Sequence, residues 1–164
     1  MTIAIRLLLI ACLALTTAAC NKAEEAPQET VKAPLAAPAN ADDREGWNAY
    51  LIDVVQRNME GVNNQPYVYT LPAESTPDFE SAYTRQLDKA RSDVARGIIA
   101  GNMLAYGGPS SGKIADMVVE AFKDIEANTM KGVKVVFIGS AADNDRVKAA
   151  VEPAGVNYVF VEAK

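Results

Sequence analysis

The chain has 164 residues, 49% of them apolar and 23% charged, with a formal net charge of -5. That is the composition of one globular domain with a targeting or linker segment attached. The acidic balance and the lack of any Lys/Arg run disfavour nucleic acid as a partner, because phosphate binding needs concentrated positive charge. There is no histidine, and the two cysteines, Cys12 and Cys20, both lie near the start. Beyond them the chain can hold no disulfide, no His or Cys metal site, no Ser-His-Asp triad and no Cys-His pair. Chemistry would have to come from carboxylates, a lysine or a cofactor, and no pattern in the sequence calls for a cofactor.

Met1–Arg6 carries one positive charge, Leu7–Leu15 is apolar, and Thr16–Ala19 are small residues ahead of Cys20. This is the layout of a secretory signal over residues 1–19. The apolar run falls short of the roughly 20 residues that span a bilayer. Thr17-Ala18-Ala19-Cys20 resembles the lipobox of bacterial lipoproteins. The resemblance implies cleavage before Cys20, acylation there (palmitate included) and a lipid-anchored protein of the cell envelope. Asn21 after the cysteine implies sorting to the outer membrane, facing the periplasm. Leu9-Ile10-Ala11-Cys12 also fits the pattern, with an h-region of only about four residues ahead of it. Ordinary secretion with Cys20 free is the other alternative. Several acyl chains exceed the two signals that stable anchoring takes.

Residues 20–41 follow as the lipidated cysteine and a spacer rich in Ala, Pro and Glu without an aromatic residue. It buries too little apolar surface to offset its ordering entropy, so disorder with a polyproline II bias is expected.

The globular part is expected over residues 42–164. Asp42 or Asp43 can cap a helix with Trp47, Leu51, Val54, Val55 and Met59 on one side, stopped near Gly61. Tyr67–Leu71 alternates as a strand closed by Pro72. Pro77 opens a second helix from Asp78 to about Arg96, with Phe79, Tyr83, Leu87 and Val94 inward and Gly97 at its end. Ile98–Ala100 through Met103–Tyr106 reads as one central buried strand. Ile114, Met117, Val118, Ala121, Phe122 and Ile125 then follow helical spacing. Val133–Ile138 is a strand apolar on both faces, Asp143–Val151 a short helix and Val156–Val161 the last strand. The alternation predicts an α/β fold: a single three-layer domain with a four-stranded, mainly parallel sheet flanked by helices. Strand order is left open.

Gly107-Gly108-Pro109-Ser110-Ser111-Gly112-Lys113 matches G-x-x-x-x-G-K between a strand and a helix. In one reading Gly107, Gly108, Ser110, Ser111 and Gly112 cradle an anion at a helix N-terminus and Lys113 reaches its outer oxygens. Ile114 stands where a magnesium-binding hydroxyl belongs, and Pro109 removes an amide from the cradle. In the other reading the segment is a turn whose Ser110 or Ser111 caps the helix. Parallel sheets bind ligands outside the carboxyl ends of their strands, which here gathers Thr70, Leu71, this loop, Gly139, Ser140, Asp143 and Asp145. Asp143-Asn144-Asp145 opens like a calcium loop but lacks the later ligands. Trp47, Tyr50, Tyr67 and Tyr69 suit either a contact surface or the core.

These features predict a non-catalytic binding or interaction module, anchored to the membrane through lipid and engaging an envelope protein or a small ligand. The alternative is a binding protein or enzyme for a small anion or phosphate ligand at Gly107–Lys113.

Overall fold

The computed structural model describes residues 33–164. The signal, Cys20 and the first part of the spacer lie outside the described residues. Helix α1 (Arg44–Arg57) is followed by β1 (Tyr67–Thr70), α2 (Phe79–Ala95), β2 (Met103–Gly107), α3 (Ser111–Phe122), β3 (Lys134–Gly139), α4 (Ala141–Val151), a 3-10 turn at Glu152–Ala154 and β4 (Asn157–Glu162). The strands form one sheet in the order β1-β2-β3-β4, every pair parallel. The α/β fold class is therefore as the alternation predicts.

Side chains alternate across this sheet and divide the core in two. Tyr69, Leu104, Tyr106, Val135 and Phe137 face α2, α3 and α4. Met103, Ala105, Val136 and Ile138 face α1, whose Trp47, Tyr50, Leu51, Val54 and Val55 cover them. Each connection between neighbouring strands thus places its helix on the same face, as crossovers of one hand require. Among the described residues, helix α1, which precedes the sheet, is alone on the other face. It starts at Asp43, whose side chain accepts from Gly46 N at 2.9 Å. At its far end Lys134 Nζ donates to the carbonyls of Asn58 and Glu60 at 2.8 and 2.6 Å, satisfying acceptors that a helix end leaves open.

Two expectations change. Ile98–Ala100 do not join the central strand. Gly101 adopts φ +82°, its N–H donates to Gly132 O, and Ile99 is 73% exposed. The chain therefore turns before entering the sheet at Met103. Residues 35–41, expected within the spacer, run along the domain. Leu35 N donates to Asp53 Oδ2 at 3.2 Å, Ala37 N to Lys164 O at 3.1 Å, and Trp47 Nε1 to Asn40 O at 3.2 Å. Hydrogen bonding of main-chain groups does not depend on apolar side chains, and composition is blind to it.

Candidate functional site

The expected loop sits at the carboxyl ends of β2 and β3. Gly107 closes β2 where α1 leans on the sheet: a Cβ there would meet Leu51 Cδ2 at 2.7 Å and Ile138 Cβ at 2.9 Å. A Cβ on Gly108 would lie 2.7 Å from the Leu71 carbonyl oxygen, so only glycine lets the chain pass the end of β1 this closely. Ser110 precedes α3 but does not cap it with its side chain; its Oγ donates to Pro72 O at 3.0 Å.

The structure brings Ser111, Gly112, Ser140 and Asp143 together and adds Arg146 and Asp116. Ser111 Oγ donates to Asp143 Oδ2 and accepts from Ser140 N, both at 2.7 Å. Ser140 caps α4, its side chain accepting from Ala142 N at 3.3 Å. Arg146 donates to Asp143 Oδ1, to Gly112 O at 2.8 Å and to Asp116 Oδ1. Burial opposes ionisation of Asp143, but the bonds from Ser111 and Arg146 outweigh it and hold the carboxyl below its ordinary value. An ionised carboxylate therefore already stands at the start of α3, where an incoming anion would meet like charge. Lys113 is not part of the group. Its Nζ lies 5.7 Å from the Tyr83 ring centroid, toward α2. Asn144 accepts from Tyr158 Oη, and among the described residues no cluster of three His, Cys, Asp or Glu side chains is placed to hold a metal ion. Tyr69 and Tyr106 are core, stacked at 4.7 Å, with Tyr69 Oη donating to buried Asp93.

The topology moves the open crevice elsewhere. Ligands collect where adjacent connections leave for opposite faces of a parallel sheet. With the order β1-β2-β3-β4 no such reversal occurs between strands. The equivalent divide lies at the end of β1, between α1 on one face and α2 on the other. A cleft of about 210 Å³ opens there, lined by Arg44, Trp47, Asn48, Thr70, Arg85 and Gln86 among others. Both arginines are exposed, and neither is ion-paired among the described residues. Gln86 Oε1 is buried with no hydrogen-bond partner among the described residues.

Sharing Asn48, Leu51 and Thr70 with this cleft, a groove of about 570 Å³ runs between α1 and β1. Ile52, Val55, Met59, Pro66 and Val68 supply its apolar wall, and none of its lining residues is ionisable. Ile52 is 57% exposed and Val68 41%. The sequence placed Thr70, Leu71 and Pro109 at the ligand edge of the sheet and offered Trp47 as a contact surface, but singled out neither arginine nor the groove. A usable signal was present: Ile52 follows i, i+3, i+7 spacing with Val55 and Met59 and widens the apolar stripe of α1 beyond Trp47, Leu51 and Val54.

No family model, curated protein sequence or solved structure matches this chain.

Proposed function

We propose that the chain is a lipid-anchored module of the bacterial envelope, held through Cys20 at the outer membrane and facing the periplasm, which binds a partner without performing chemistry. The signal-like start and its lipobox resemblance support the anchor. One contrast carries the binding reading. The hydroxyls and carboxylates at the ends of β2 and β3 are bonded to one another, whereas the flank between α1 and β1 is open, apolar and unpaired. Exposed apolar surface that a folded domain retains marks an interaction site.

The small-anion reading of Gly107–Lys113 has the N-terminus of α3 behind it and predicts a thermal shift with phosphate at millimolar concentration, since a bound ligand stabilises by mass action. The binding-module reading predicts none. Its direct test is a photo-crosslinking residue at Ile52, compared with one at Lys148 on α4, in cells that export the chain. Adducts with an envelope protein are expected at position 52 and not at 148. Radiolabelled palmitate should enter the chain and be lost in Cys20→Ser. A chain found in the envelope but giving no adduct at either position would overturn the binding reading, and a labelled Cys20→Ser protein would overturn the anchor.

A further inference from the structure

We infer that the cleft and groove beside β1 form a single site for the free C-terminal end of an extended peptide, which adds to the sheet as a fifth strand with its carboxylate between Arg44 and Arg85. The inference rests on the binding-module reading and names its partner class.

Four observations converge. First, among the described residues β1 pairs with β2 alone, and the outer N–H and C=O groups of Tyr67–Thr70 face no described strand. An exposed edge of this kind is a template for another strand. Second, the groove alongside it is apolar and carries no ionisable group. Alternate side chains of an added strand would point to the α1 face and cover Val68 and Ile52. Third, the charge is at one end. Arg44 and Arg85 stand at the carboxyl end of β1, neither ion-paired among the described residues, on a chain whose formal net charge is -5. An occupant apolar along its length and anionic at its tip complements that pattern. Fourth, Gln86 Oε1 in the cleft lacks a donor among the described residues, and the last N–H of a peptide would supply one.

Direction and length follow. A carboxylate at the carboxyl end of β1 makes the added strand parallel to β1, like every other pair in the sheet. From Pro66 to Thr70 the edge accommodates about four or five residues at roughly 3.3 Å each. A fatty acid also has an apolar body and an anionic head. It would leave the β1 edge and the rim amides of Asn48, Gln56 and Gln65 without the partners that a peptide backbone supplies.

The test uses the full chain in nanodiscs and a fluorescein-labelled peptide, Gly-Thr-Val-Thr-Val, read by fluorescence anisotropy. The free acid should bind about tenfold or more tightly than its C-terminal amide, as expected of charge-assisted bonds to two arginines. Arg44→Ala with Arg85→Ala, both at exposed positions, should erase that preference. Val68→Asp should weaken acid and amide alike. Decanoate should not displace the peptide. Equal affinity for acid and amide overturns the inference, as does displacement by decanoate or indifference to the arginine pair. If the peptide does not bind while crosslinking at Ile52 still captures an envelope protein, the peptide inference falls and the binding module stands. If both fail, both fall.

Discussion

The two faces of the sheet are built to different standards. One carries three helices, and its central residues Leu104, Tyr106, Val135 and Phe137 are sealed. The other carries one helix among the described residues, which shields the middle of the sheet and leaves Val68 of β1 in contact with solvent. On the β4 side of that helix, Ala37 and Ala163 complete the cover. The contrast teaches where stability and binding reside. The crowded face holds the domain together, and the thin face retains surface for something else.

Substitutions should separate the two. The largest effect is expected for Phe137→Ala, which empties a fully buried ring position 5.9 Å from Phe160 and should cost about 3–5 kcal/mol, measured by urea denaturation. Next comes the tyrosine pair. Tyr69→Phe removes a bond to the buried Asp93 carboxylate and should cost roughly 1.5–3 kcal/mol. Tyr106→Phe removes a buried hydroxyl that has no partner among the described residues and should leave stability unchanged or raise it slightly. The two stacked rings therefore differ in sign.

Acid should act on the crowded face. Burial works against ionisation of Asp93, but bonds from Lys89 and Tyr69 and the charge of Arg96 prevail, so its carboxyl is held below its ordinary value. Asp143 is lowered in the same way. A depressed folded-state pKa contributes stability above the unfolded-chain value and loses it as pH falls through the folded one. The urea midpoint should therefore hold from neutrality down to about pH 5 and drop below about pH 4. The double variant Asp93→Asn, Asp143→Asn should start lower and show a flatter acid limb. The smallest effect belongs to the thin face. Ile52→Ser should shift stability by less than about 0.5 kcal/mol, while weakening binding of the fluorescein-labelled peptide in the anisotropy assay.

The order of elements was legible because each carries its own period: Trp47, Leu51, Val54 and Val55 on a helix, and Tyr67 and Tyr69 on one side of a strand. The entry to β2 was misplaced because Ile98 and Ile99 are as apolar as a strand, while the positive φ of Gly101 is a backbone fact that apolarity does not encode. The loop was found, but what it bonds to was not, because Asp143 and Arg146 reach Ser111 and Gly112 from α4 across 32 and 34 residues of chain. The groove was missed for a topological reason. Whether Ile52 and Val68 are covered depends on which helix lies on which face, and that follows from the strand order, which local periodicity leaves undetermined.

The bond from Ala37 N to Lys164 O has a mechanical consequence. It fastens the incoming chain beside the last residue after β4, at the opposite edge of the sheet from β1. Tension arriving from the N-terminal side would therefore meet the Leu35–Asp53 bond on α1 and then the Ala37–Lys164 bond just past β4, while β1 lies three strands from that second point. On the anchor proposed above, a strand captured at β1 would feel a pull on the incoming chain only after these two bonds had given.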